Sequence, residues 1–347
     1  MAETLDQFEL RKRDHIRIAL DPRTEAVNRS GLEQIVLSHD ALPEMDFAEV
    51  SLSTEVFGHK VSSPFFISSM TAGHHDSVQL NLRLAKLASE KNWLMGVGSQ
   101  RKELSCDEAG REWQLIRKEV PKVMLAGNIG LAQLIQTPVD KTQKLVDSLE
   151  AVALFVHLNP LQEVLQKEGT PQFKNGVAAI EKLCKTLSVP VIVKEVGCGM
   201  SKATLQKLNG LGVAAVDVSG LGGTHWGRVE GFRNQENDSL HKAAQVFADW
   251  GITSVDSLLF AKELSVDYSL WASGGVRSGL DAAKLMALGA SMVGIAKPLL
   301  EKAVVSESAL REQMEQFDLE LKIAMFCTGS KTVSDLKSRK VWQWLKI

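Results

Sequence analysis

The stretch ASGGVRSG, residues 272–279, lies between an apolar run, YSLW (268–271), and a helical pattern, LDAAKLMALGA (280–290). A second apolar run, SMVGIAK (291–297), follows it. Strand, glycine turn, helix and strand in that order is the repeating unit of a parallel sheet. Adjacent glycines let a backbone turn with positive φ and approach a ligand closely. Arg277 adds a planar fork of donors suited to an anion. A tight turn with a solvated arginine would also fit these residues taken alone.

Working outward, the same unit recurs. Apolar runs occur at PFFISSM (64–70), WLMGVGS (93–99), VMLAGNIG (123–130), ALFVHLN (153–159), VPVIVKEVG (189–197), VAAVDVSG (213–220), YSLWASGG (268–275) and SMVGIAK (291–297). Helix-period segments separate nearly all of them, as in SVQLNLRLAKLASEKN, where Leu80, Leu84 and Leu87 share a face. Near-continuous Val, Ile and Leu suits parallel strands buried on both sides. Eight repeats predict an α/β fold of the (β/α)8 TIM-barrel type. An open doubly wound sheet would carry one dominant glycine turn near its start, whereas here glycines are spread over many strand ends. Residues 1–60 fall outside the pattern and read as an N-terminal extension with a basic segment, RKRDHIRIALDPR, packed on a single domain spanning 1–347. Residues 221–239 read as a polar, glycine-rich insertion. The tail from Val304 reads as helical, with Trp342 and Trp344 in packing roles.

Composition narrows the function classes. Of 347 residues, 44% are hydrophobic and 24% charged, with a formal net charge of -2, an ordinary globular balance. Near-neutral charge gives no support for a nucleic-acid or membrane partner. Cys106, Cys184, Cys198 and Cys327 form no CxxC pair, and with no apolar leader in MAETLDQFELRKRDH they are expected to be reduced thiols of a cytoplasmic protein.

In a (β/α)8 barrel the active site forms at the C-terminal ends of the strands. Those ends read SSMTAG, GVGSQR, GNIG, HLNPLQE, KEVGCG, DVSGLGGTHW, ASGGVR and GIAKP. Loops after the seventh and eighth strands often hold phosphate through backbone N–H groups, and GGVR followed by GIAK has that form. Lys194 faces either an electron-rich ring edge or a neighbouring acid. Asn128, Ser219 and Thr224 suit carbonyl and ring-nitrogen atoms, and Ser69, Met70 and Thr71 offer two hydroxyls and backbone. Together they point to a phosphorylated aromatic cofactor, with flavin mononucleotide (FMN) fitting better than a dinucleotide because one phosphate pocket is evident. His157 and Asn159 alternate on a strand, so both can face one side. Pro160 then sends Gln162 and Glu163 over the mouth. Glu163 is either a helix cap or a ligand for Mg2+, which typically takes one carboxylate with phosphates and waters. Trp226 and Glu230 in GTHWGRVE could cover a substrate or exchange protons with it. Arg11, Lys12, Arg13 and Arg101 are cations that one cofactor phosphate does not use, and could bind a second anion such as a diphosphate.

These motifs, with RKRDH at the start, in this order and over about residues 11–298, resemble the type 2 isopentenyl-diphosphate delta-isomerase family. The resemblance implies an FMN-dependent barrel that interconverts isopentenyl and dimethylallyl diphosphate. It implies FMN contacts from Ser69, Met70, Thr71, Ser99, Asn128, Lys194, Ser219, Thr224, Gly275, Val276, Arg277, Ala296 and Lys297. Substrate contacts would come from Arg11, Lys12, Ser99, Gln100, Arg101 and Gln162, and Glu163 would hold Mg2+. NADPH would reduce the flavin, and Gln162, His157 and Glu230 are the candidates for handling protons. Family members assemble as homo-oligomers, tetramers or octamers. Ala72 stands where the family often has glycine. Two other readings compete with this one. A 2-hydroxy acid oxidoreductase on the same barrel would need a histidine base near the seventh strand, which has none. A non-catalytic flavin or phosphate binder leaves HLNPLQE and the basic segment without purpose.

Overall fold

The computed structural model describes residues 5–345, apart from residue 28 and residues 72–76. Eight parallel strands close into a barrel. They are β1 (Phe65–Ile67), β2 (Leu94–Gly96), β3 (Leu125–Gly130), β4 (Ala153–Leu158), β5 (Val191–Glu195), β6 (Ala215–Asp217), β7 (Ser269–Ala272) and β8 (Met292–Ile295). Each pairs with its neighbour in sequence, and β8 returns to β1 with Val293 opposite Phe65 and Ile295 opposite Ile67. All eight runs read from the sequence are therefore barrel strands.

Side chains fill the barrel. The rings of Phe66 and Trp271 lie 5.1 Å apart, and Phe155 is 6.0 Å from Phe66 and 6.2 Å from Trp271. All three are buried, and burying each such ring contributes roughly 1.5–3 kcal/mol. A hairpin from the extension, Thr54–Val56 with His59–Val61, presses against the bottom of this cluster. Its turn residues Phe57 and Gly58 both have positive φ, and Phe57 stacks on Trp271 at 5.6 Å.

The extension begins with α1 (Leu5–Ala19). Farther on, Ile35–Leu37 pairs antiparallel with the tail strand Trp342–Trp344, which packs Trp342 against the core while Trp344 stays about half exposed. After β4, Pro160 opens α2 (Pro160–Leu165), where its fixed φ and missing N–H suit a first turn. The segment after β6 is more helical than its composition predicts. It forms α3 (Trp226–Arg233), capped by the His225 side chain, and a helix at Ser239–Val246 capped by Asp238. Gly227 and Gly231 are tolerated there because other residues pack closely on them.

Candidate active site

At the C-terminal rim the strand tips, α1, α2 and α3 enclose a cavity of about 470 Å³. It is lined by Arg11, Lys12, Ser69, Met70, Ser99, Arg101, Asn128, His157, Gln162, Glu163, Lys194, Ser219, Thr224, Gly275, Val276, Arg277, Ala296 and Lys297, every one expected from the sequence. Arg277, Lys194 and Glu163, far apart in the chain, thus border one space.

One end is the glycine turn after β7. Gly274 and Gly275 have φ of 92° and 80°, the left-handed region in which a side chain is strained. A Cβ on Gly275 would stand 2.8 Å from Ser30 Cβ. Arg277 donates to Gly275 O at 3.0 Å and Gly222 O at 2.9 Å, and pairs with Glu25 at 2.6 Å. Lys297, from the loop after β8, pairs with the other Glu25 oxygen at 2.8 Å.

The cavity wall carries a second group. Lys194 Nζ lies 3.0 Å from Asp217 Oδ2 and donates to Ser219 Oγ at 3.0 Å. Ser273 Oγ donates to Asp217 at 2.9 Å. Lys194 is thus paired with an acid, and it also borders the cavity. Asn128 Nδ2 donates to Val97 O at 3.1 Å, so its Oδ1 accepts from His157 Nδ1 at 2.8 Å. That fixes the imidazole tautomer, with Nε2 as an acceptor. Burial, and then the charges of Lys12 and Lys194, push His157 down to about 3, so it stays neutral and is a poor proton donor near neutral pH.

The third group lies under α1. His15 Nε2 donates to Glu230 at 2.9 Å, Gln162 Nε2 donates to the same oxygen at 3.2 Å, and Arg233 holds the other oxygen at 2.5 Å. Asn159 Nδ2 donates to Gln162 Oε1 at 3.0 Å, so the Gln162 amide has one orientation. Burial opposes ionisation of Glu230, yet the His15 hydrogen bond and the Arg233 charge hold it down at about 2. Burial also lowers His15, so the pair is a neutral imidazole donating to a carboxylate.

Four expected residues lie elsewhere, among them Arg13, which is exposed on α1. Glu230 is fully buried behind Gln162. Thr71 borders a smaller adjoining cavity beside α1. Gln100 is buried and braces β3, donating to Leu145 O at 3.3 Å and accepting from Asn128 N at 3.0 Å. Ala72 lies outside the described residues. Sequence reasoning passed over His15, Glu25, Asp217, Ser273 and Arg233. His15 sits four residues from Arg11 on one helix, a spacing that puts them on the same face.

The cavity fits a flavin. Ser68 Oγ and Ser69 Oγ, on lining residues, are buried without partners among the described residues, and an unsatisfied buried hydroxyl is costly unless a ligand completes it. A cation site fits more narrowly. Among the described residues no group of three or more His, Cys, Asp or Glu side chains gathers. Glu163 is one lining carboxylate, and nearby Asn159 Oδ1 is buried without a partner among the described residues. A hard cation bound largely by phosphate oxygens needs no more protein than that.

The model of the FMN-dependent dehydrogenase family matches residues 16–115 and 109–343. A mandelate oxidase variant solved with (S)-mandelic acid shares the fold, with a TM-score of 0.65 at 15% identity over 100% of both chains. Curated relatives are far more similar in sequence. An isopentenyl-diphosphate delta-isomerase of Bdellovibrio bacteriovorus is 58% identical, over 99% of this chain and 100% of its own. Its counterpart in Legionella pneumophila (strain Corby) is 50% identical over 98% and 99%, and that of a Nostoc species 41% over 95% of each. A chain so similar along its whole length to these enzymes, on a flavin-type barrel with the rim described above, belongs to the isopentenyl-diphosphate delta-isomerases of the FMN-dependent dehydrogenase family.

Proposed function

We propose that the protein interconverts isopentenyl and dimethylallyl diphosphate by moving a proton between allylic carbons, as a single-domain FMN barrel with its extension as substrate-binding arm. The observation that carries this reading is one cavity bordered by more cations than one phosphate needs: Arg277 and Lys297 after β7 and β8, Arg11 and Lys12 on α1, and Arg101 after β2. A cofactor phosphate takes the first pair and a substrate diphosphate the others.

FMN, reduced by NADPH, supplies an electron-rich ring and a ring nitrogen able to exchange protons. Ser69, Met70, Ser99, Asn128, Lys194, Ser219, Thr224, Gly275, Val276, Ala296, Arg277 and Lys297 would hold it, with Thr71 beside them in the adjoining cavity, its hydroxyl bonded to Asn81. Glu163, with Asn159 Oδ1, takes Mg2+ against the diphosphate, whose binding orients the reacting carbons. Gln162 meets the substrate with its amide fixed by Asn159 and Glu230. Glu230 acts through Gln162, keeping a negative charge where a carbocation-like centre develops. His157, neutral, accepts or orients and does not donate a proton. Gln100 holds the β3 tip. The four cysteines are unpaired, and no described helix is long and apolar enough to cross a membrane. A cytoplasmic location goes with this reading, and assembly as a homo-oligomer, a tetramer or octamer, rests on the family resemblance alone.

The test is to supply isopentenyl diphosphate in D2O with FMN, Mg2+ and reductant, without oxygen. Deuterated dimethylallyl diphosphate is expected. A net redox product, or unchanged substrate over bound flavin, would sink the reading. Glu163→Gln is expected to raise the Mg2+ requirement while FMN stays bound.

A further inference from the structure

Glu25 bridges two cations of the cavity wall, Arg277 and Lys297. Its carboxylate takes Arg277 on one oxygen at 2.6 Å and Lys297 on the other at 2.8 Å, and all three residues line the cavity. The cations have other partners too: Gly275 O and Gly222 O for Arg277, and for Lys297 Asp21 O and, more distantly at 4.0 Å, the half-exposed Glu301 carboxylate. Of the described carboxylates, Glu25 alone contacts both cations closely, and it offsets part of the charge of a site as far as 252 residues away in sequence.

The surrounding backbone is pinned. Ala26 N donates to Gly223 O at 2.9 Å, His225 N donates to Thr24 O at 2.9 Å, and Arg228 Nη1 donates to Glu25 O at 2.6 Å. What can change partners is the carboxylate itself. Two cations and one carboxylate leave a single net positive charge. A phosphate monoester carries about −1.5 to −2 near neutral pH. With Glu25 in place, phosphate would bring about three negative charges to two positive ones, and like charges held close are strongly unfavourable.

We propose that Glu25 is a resident counter-anion of the cofactor-phosphate site, which holds Arg277 and Lys297 in place and gives them up to the FMN phosphate. This rests on the reading of the β7 and β8 loops as that site. The chain accordingly trades some cofactor affinity for an ordered empty site.

Flavin-stripped full-length protein and Glu25→Gln are titrated with FMN and with riboflavin, which lacks the phosphate, following flavin fluorescence. Glu25→Gln is expected to bind FMN about tenfold tighter or more, with riboflavin affinity the same in both. Its flavin-free melting temperature falls, while its FMN-bound one matches or exceeds that of the unmodified protein. Glu25→Asp keeps the charge but is too short to bridge both cations, so its FMN affinity falls between the two. Unchanged or weaker FMN binding in both variants, or an equal drop in melting temperature with and without FMN, overturns the proposal and leaves Glu25 a plain brace. If the unmodified protein itself binds FMN no better than riboflavin, the phosphate-site reading fails first, and that arm alone reveals it.

Discussion

Lys194 and Asp217 form a buried ion pair whose members have unequal alternatives. Asp217 is wholly buried, with its carboxylate shared among Lys194, Ser273 and the Ser219 backbone. Removing only the cation strands the carboxylate, which costs about 3–5 kcal/mol. Lys194→Met should therefore lower urea-unfolding stability by that order, and Lys194→Met with Asp217→Leu should regain much of it. Arg233 works on Glu230 in the same manner. Arg233→Met should raise the Glu230 pKa from about 2, and the acid limb of kcat/KM should move to higher pH while the alkaline limb stays. His157 gives a sign that can be checked in the folded state. Its imidazole resists protonation down to about 3, whereas an unfolded histidine takes a proton near 6.5. Between those values the unfolded chain binds more protons, so this stability is present above about 6.5 and is lost as pH falls toward about 3. Going from about pH 6.5 to about pH 5 should remove about 2 kcal/mol, and His157→Gln should flatten that slope.

At the scale of elements, the turn between β7 and its helix depends on backbone that only glycine adopts without strain. Gly275→Ala meets both a positive φ and Ser30, and should weaken FMN binding at least tenfold, read by flavin fluorescence, while costing about 1–3 kcal/mol. This turn was legible in the sequence because its glycines, Arg277 and the flanking apolar runs are contiguous. The eight strands were legible for the same local reason. α3 was not, because WGRVEGFR has two glycines and no continuous apolar stripe, and it is held by a cap at His225 and by Arg233 bonds to Glu230 and Glu168. Glu25 was illegible for a different reason: nothing in PRTEAV announces that its carboxylate meets residues after β7 and β8. Gln100 sits in a motif that names it a ligand, and only the packing shows its amide turned to Leu145 and Asn128.

For the whole molecule, stability and site share one stack of rings. Trp271→Ala should cost about 3–5 kcal/mol and also loosen FMN, since the emptied volume lies beneath the cavity; calorimetry and flavin retention check the two effects. Below Trp271 sits the hairpin at Thr54–Val56 and His59–Val61, with Phe57 against the indole. That stopper packs the lower end of the barrel, and α1 lies along the cavity at the other end with Arg11 and His15 buried. A ligand that reaches the cavity must therefore come past the strand tips, where α1 sets Arg11 and Lys12 in the wall it meets.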